Sequence, residues 1–326
     1  MKIKHLAITF LFFSLFANSQ TIEELELQVS TYPKTLNTIE DIAYRIHNDF
    51  NSKELQARAV YTWISKNIAY DLTRYYSFRS PPLMIYRSSK EQARQLRNLE
   101  EQRITQALKN RKGICGDYAS LFVALCEKLE IPAKKIRGYT KLNPNFIGAD
   151  PGMKDHVWNA VYLNEEWHLV DTTWGAGYEV EYKTKWEFHF SNKFYKAPPE
   201  VFIQHHYPGN PTWQLLEKPI SKKTFFSKPV FYTYYSSSDV NLADDHEGIL
   251  TEYKKDTYLI YFDKLPKGKD IYYQNASFKF AKKLFIHREN NKLVAKVKVK
   301  NPSQPFLTLF TDNKAIVNFK LETASQ

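Results

Sequence analysis

Two cysteines are all that this chain of 326 residues carries, Cys115 and Cys126, eleven residues apart. Both fall on one predicted helix, where a rise of about 1.5 Å per residue separates them by roughly 16 Å. A disulfide needs Cα atoms within about 7 Å, so the two cannot bridge each other. Glycine is scarce, ten in all, and no phosphate loop or dinucleotide fingerprint is present. Long apolar runs are missing as well. Leu6 to Phe16 falls short of the roughly 20 residues a membrane span needs, and no later stretch is a candidate. His205 and His206 are adjacent, cannot share a helical face, and have no acidic partner at ligand spacing, so neither a metal nor another cofactor is expected. Internal repeats and low-complexity tracts are lacking too.

What is present begins with a leader. Lys2 and Lys4 precede the apolar run, and Ala17-Asn18-Ser19 offers a small-x-small cleavage site, so residues 1–19 read as a secretory signal peptide. No cysteine lies near that site to carry a lipid. A secreted or periplasmic location is expected, with cleavage taking the formal charge from +11 to +9 by removing the two lysines. Roughly 300 remaining residues favour two domains. The basic balance does not single out a nucleic-acid partner. Lys279, Lys282 and Lys283, with the lysines that alternate along 293–300, read as the wet face of a sheet.

Along the chain, Asn37 or Thr38 caps a helix whose Ile39, Ile42, Ile46 and Phe50 make one apolar face. Ser52 caps a second, residues 53–68. Residues 74–89, with Pro81-Pro82, read as a loop, and 90–112 as a solvated, charge-rich helix. Strands are expected at 135–140, 157–163 and 167–172, after which an aromatic segment runs to a boundary near residue 216. Six strands then follow (230–235, 257–262, 278–286, 293–299, 306–311 and 315–321), the pattern of a β-sandwich over 217–326.

The most specific chemistry sits at Gly113-Ile114-Cys115-Gly116. Leu121, Leu125 and Leu129 share a helical face behind it, which puts Cys115 by a helix start, where free N–H groups and the helix dipole favour a thiolate. Cys126, mid-helix beside Leu125, reads as a core residue. The hairpin 157–172 supplies partners. A two-residue turn at Asn164-Glu165 pairs Leu163 with Glu166 and so places His156 and Asp171 on one face as diagonal neighbours. A four-residue loop keeps that arrangement, whereas a three-residue loop puts them on opposite faces. Cysteine, histidine and aspartate, spaced 41 and then 15 residues apart, supply a nucleophile, a base and an orienting anion for acyl transfer.

These residues resemble the transglutaminase-like superfamily, a papain-like fold. The motifs are Gly113-x-Cys115-Gly116-x-Tyr118-Ala119, His156-x-Trp158-Asn159 and Leu169-Val170-Asp171-Thr172-Thr173-Trp174. The kyphoscoliosis peptidase type is the most similar, through residues 59–64 and 67–71 upstream and 198–216 downstream. The resemblance implies an α+β fold, with a papain/transglutaminase-like core of helices and antiparallel sheet over 20–216. It also implies catalytic Cys115, His156 and Asp171 in a protease, amidase or amide-crosslinking enzyme. Lys109 stands where papain-like proteases have a glutamine six residues before the cysteine, so the oxyanion donors are sought elsewhere. The Cys115 N–H is one; Trp63, Asp71, Gly116, Trp158 and Trp174 are the remaining candidates for oxyanion or substrate contact. Hydrolysis of a protein, peptide or cell-wall peptide is the leading expectation. A non-catalytic interaction protein on the same fold, or a crosslinking enzyme, is the alternative.

Overall fold

The computed structural model describes residues 21–77, 86–181, 183–243, 245–300 and 304–323. The leader and Pro81-Pro82 lie outside the described residues. The fold is α+β, with helices and antiparallel sheet followed by a strand-rich C-terminal part.

Helices α1 (Ile22–Ser30), α2 (Ile39–Asp49), α3 (Lys53–Asn67), α4 (Leu72–Tyr76), α5 (Ser89–Asn110) and α6 (Cys115–Lys128) begin where a short polar side chain can satisfy the first free N–H groups, α6 excepted. Thr38 caps α2, Ser52 caps α3 and Ser88 caps α5. Helix α1, capped by Thr21 with Glu24 reaching back, was not anticipated; its Leu25 and Val29 are buried against α3. Helix α3 is buried nearly all round, from Gln56 to Ser65, which explains why its apolar residues show little one-sidedness.

The five-stranded antiparallel sheet runs in the order β8 (Tyr195–Ala197), β5 (Glu166–Val170), β4 (His156–Leu163), β3 (Ala133–Thr140), β9 (His206–Pro208). The expected turn is observed. Leu163 pairs with Glu166, and both Asn164 (φ 51°) and Glu165 (φ 67°) adopt the left-handed backbone that a two-residue hairpin turn requires. Asn159, wholly buried on β4, donates to the carbonyls of Ala119 (3.0 Å) and Lys134 (3.3 Å) and so ties α6 to the sheet. Two short parallel strands, β1 (Ala69–Tyr70) and β2 (Lys112–Gly113), bring the end of α3 alongside the start of α6.

The aromatic segment after Trp174 is more structured than its composition suggests, because its strands are short. It holds the hairpin β6 (Gly177–Glu181) and β7 (Lys185–Phe188), then β8, helix α7 (Pro199–Phe202) and β9. Residues 217–229 carry α8 (Lys222–Ser227), whose Phe225 and Phe226 pack with Tyr139 and Tyr207. Lys141, buried at that junction, donates to the carbonyls of Phe225 and Lys228.

The remaining strands form two sheets around a separate apolar core that includes Tyr258, Ile260, Val297, Leu309 and Phe319. One follows the order β10 (Val230–Phe231), β19 (Lys314–Glu322), β18 (Phe306–Thr311), β14 (Tyr272–Gln274), β15 (Lys282–Lys283), with β12 (Ile249–Thr251) parallel to β19. The other runs β11 (Asn241–Leu242), β13 (Thr257–Lys264), β17 (Lys292–Lys298), β16 (Ile286–Glu289). The expected strand at 278–286 is not one element: β15 and β16 fall in different sheets. Its Phe280 and Phe285 are exposed, so the sequence there lacks the alternation a continuous half-buried strand would show.

Candidate active site

Four chain segments converge on one end of the five-stranded sheet. His156 opens β4, Asp171 follows β5, His206 opens β9, and the N-terminus of α6 lies over β3 and β4. Cys115 is the first residue of α6 and is 8% exposed. Ile114, the capping position, has no side chain to offer. Asp117 instead reaches back to accept from the Ile114 N–H at 2.9 Å and is itself held by Arg74 Nη1 at 2.5 Å. The Cys115 N–H, in the first turn, has no partner within the helix. Gly113 is required beneath this cap, since a Cβ there would come within 2.9 Å of the Asp117 Cβ. At Gly116 an added Cβ meets nothing within 4 Å, so the chain next to the thiol faces open space.

His156 Nε2 lies 2.7 Å from Asp171 Oδ2. A carboxylate only accepts, so this nitrogen carries the proton and Nδ1 is left for the thiol. Asp171 is completely buried, and its other oxygen accepts from the backbone N–H groups of Thr173 (2.8 Å) and Trp174 (3.1 Å). Burial alone would favour the neutral acid, but the two histidines that donate to it hold Asp171 well below the ordinary carboxylate range. Burial also opposes charge on His156. Asp171 and the adjacent Cys115 outweigh it and push the imidazole up to about 10. For Cys115 burial raises the thiol, while His156 and the Val157 backbone N–H lower it, with a net shift downward. These shifts favour a thiolate beside an imidazolium. Cys126, buried without such partners, has its thiol pushed up by desolvation.

Not every candidate comes to the sulfur. Trp63 packs in the helical core with the Arg111 guanidinium 4.9 Å from its ring centre, so it is a scaffold residue rather than an oxyanion donor. Asp71 caps α4 by accepting from the Arg74 N–H at 3.0 Å. Trp158 is buried and stacks 6.0 Å from the His156 ring, forming a wall behind it. Trp174, half-buried, lies 6.0 Å from His156 on another side. Lys109 is exposed near the end of α5 and takes no part.

Three features were not read from the sequence. Tyr70, paired with Gly113 across β1 and β2, lies beside Cys115; burial and the charge at Cys115 raise its pKa. Its signal was its place in the 67–71 motif. The Arg74–Asp117 pair joins α4 to α6 across 43 residues and leaves no local pattern. His206, for which no acidic partner was expected, has Asp171 Oδ2 at 3.0 Å. Sequence spacing missed it because β9 returns to the sheet 35 residues after Asp171. His156, Asp171 and His206 place ligand-type atoms within 4.8 Å of one another. The 2.7 and 3.0 Å separations are those of charge-assisted hydrogen bonds, and both imidazoles spend the nitrogen in question on them.

The rest of the motif residues hold this frame together. Tyr118 donates to the Ile68 carbonyl, Tyr61 to the Ser191 carbonyl, and Ser65 to the Thr172 carbonyl at 3.1 Å. Gly175 is needed under Tyr61, whose hydroxyl would sit 2.1 Å from an added Cβ.

Residues 40–172 match the model of the transglutaminase-like superfamily. The chain is similar to Kyphoscoliosis peptidase of Homo sapiens, 30% identical over 227 residues that cover 67% of this chain and 31% of that protein. The Mus musculus protein of the same name is 31% identical over 199 residues, 60% of this chain and 27% of its own length. Hillarin of Drosophila melanogaster is 28% identical over 147 residues, 40% of this chain and 18% of its own. This chain thus spans less than a third of each of these relatives. Through residues 40–172, which carry Cys115, His156 and Asp171, the chain belongs to the transglutaminase-like superfamily.

Proposed function

We propose that this protein is an exported cysteine enzyme that hydrolyses amide bonds in a protein, peptide or cell-wall peptide through Cys115, His156 and Asp171. The observation that carries this reading is the 2.7 Å contact of His156 Nε2 with Asp171 Oδ2, which leaves Nδ1 of His156 for a thiol, together with the downward shift that His156 imposes on Cys115. The N-terminal leader pattern supports export.

In this reading the Cys115 thiolate attacks the amide carbonyl carbon, forming the C–S bond as the carbonyl π pair moves to oxygen. The Cys115 N–H, unpaired within the helix, stabilises that oxyanion, and the Tyr70 side chain beside Cys115 is the candidate for a second donor. His156 gives its Nδ1 proton to the departing amine as the C–N bond breaks. It then takes a proton from water, which attacks the thioester; the acid is released and the thiolate restored. Asp171 stays ionised throughout and keeps the imidazole proton on Nε2. The open space at Gly116 is where the substrate chain reaches the sulfur.

The test is amine release from peptide and glutamine-containing substrates by the wild type and by Cys115→Ala. Loss of turnover in the variant is the expected result. Equal turnover by both proteins overturns the proposal, and Cys115-dependent incorporation of an added primary amine without net hydrolysis would assign crosslinking instead.

A further inference from the structure

Asp171 is more heavily bonded than an orienting anion requires. Its carboxylate accepts four hydrogen bonds: Thr173 N and Trp174 N at Oδ1, and the Nε2 atoms of His156 and His206 at Oδ2. The second imidazole is completely enclosed. The His206 ring stacks on Phe202 at 4.2 Å and 22°, lies 4.4 Å from Trp174, and meets Trp158 edge-on at 5.1 Å. Two of these rings, Trp158 and Trp174, also flank His156.

The tautomer of His206 follows from its partners. Its Nδ1 is buried and has no hydrogen-bond partner among the described residues, while its Nε2 faces a carboxylate oxygen at 3.0 Å. A bare Nε2 there would set lone pair against lone pair, so the ring proton sits on Nε2. Burial lowers the pKa of His206 despite Asp171, which keeps the ring neutral with that single N–H. The other charged or titratable groups around it are His156, Asp155 and His205, with Lys141 beyond His205.

Taking Cys115, His156 and Asp171 as the reacting set, we propose that His206 is a positioning residue: its Nε2–H pins Asp171 Oδ2 so that the carboxylate stays aligned with His156. Backbone donors at Oδ1 alone leave the other oxygen free to swing about the Cβ–Cγ bond. The bond from His206, made from a ring clamped between Phe202 and Trp174, removes that freedom. The proton on His156 Nε2, and therefore the share of Cys115 present as thiolate, then depends on a residue whose hydrogen bond goes to Asp171.

Two measurements test this, both on the substrate-free protein. Histidine-selective nitrogen NMR of the wild type is expected to show His206 as a neutral Nε2–H tautomer; a proton found on Nδ1 overturns the proposal without any variant. The second is the pH profile of Cys115 alkylation by iodoacetamide. His206→Phe keeps the ring volume and stacking but removes the donor, and is expected to move the midpoint upward by about one pH unit, a roughly tenfold loss of thiolate below it. His206→Gln, whose amide nitrogen reaches the same oxygen, is expected to restore most of that shift. A merely structural role would lower thermal stability in both variants with the midpoint unmoved. That outcome, or Gln proving no better than Phe, refutes positioning. Should His206→Phe fail to fold, the tautomer and the Gln profile still decide. Neither measurement uses an amide substrate, so a failure of wild-type turnover would count against hydrolysis and not against this role.

Discussion

The two ends of one helix treat the same side chain in opposite ways. At the first residue of α6, Cys115 meets unsatisfied backbone donors, the positive end of the helix dipole and His156, and its thiol is shifted downward. Eleven residues on, Cys126 is fully buried with Leu125 and Leu129 in the helical core and is shifted upward by desolvation alone. Burial is common to both, and taken alone it disfavours the thiolate at each. The difference is supplied by partners, which only the helix start and the hairpin can bring.

The largest expected effect breaks this pair apart. Cys115→Ala should reduce amide turnover by about 100,000-fold or more, since the nucleophile has no substitute. Cys126→Ala should leave kcat/KM within about twofold, and should instead lower stability by about 1 kcal/mol through the small cavity left in the core, read from the urea midpoint. If Cys126→Ala costs as much activity as Cys115→Ala, the contrast between the two ends is wrong.

Next in size is the charge that separates them. Asp171→Asn should lower kcat by roughly 1,000-fold or more, because an amide can present its N–H to His156 Nε2 and force the wrong tautomer. Stability against pH follows the same pair. Asp171 has a depressed value in the fold, so its contribution is present above the ordinary carboxylate range near 4 and is lost as pH falls. His156, raised to about 10, contributes fully below its unfolded value near 6.5 and loses that contribution as pH rises through about 10. Cys115, whose thiol is shifted downward, offsets the loss at His156 until pH passes the ordinary thiol range near 8.5, so wild-type stability should fall below about pH 4 and again as pH approaches 10, whereas Asp171→Asn should flatten the acid side. Urea titrations at a series of pH values measure both arms.

How far the sequence could take this site depended on how local each contact is. The hairpin was legible because Asn164 and Glu165 fix the pairing of Leu163 with Glu166, and alternation then carries His156 and Asp171 to one face without further information. The start of α6 was legible from Gly113 and the leucine spacing. His206 was not, since nothing near it in sequence tells that β9 will cross to the edge beside β3. Tyr70 and the Arg74–Asp117 pair depend on the parallel contact of two-residue strands, which have no periodicity to read. In the C-terminal part, β17 was evident from alternation and β19 was expected as a strand, while β15 and β16 merged into one expected strand because a two-residue element gives no pattern of its own.

The smallest effects come from the glycines on either side of Cys115, and they sharpen what the helix start requires. At Gly113 a methyl group would press on the Asp117 Cβ at 2.9 Å, and Asp117 cannot retreat without releasing the Ile114 N–H and Arg74. Gly113→Ala should cost about 2 kcal/mol in stability, as overpacking does, and should slow alkylation of Cys115 because the first turn shifts. At Gly116 a methyl group meets nothing, and helix propensity favours alanine over glycine by roughly 1 kcal/mol. Gly116→Ala should therefore keep or raise stability, leave alkylation by small iodoacetamide nearly unchanged, and raise KM for a peptide whose backbone must pass that position. One glycine then serves the cap and the other serves access. Equal losses of stability at both positions would mean that the space seen at Gly116 is filled by the fold and is not the substrate's way to the sulfur.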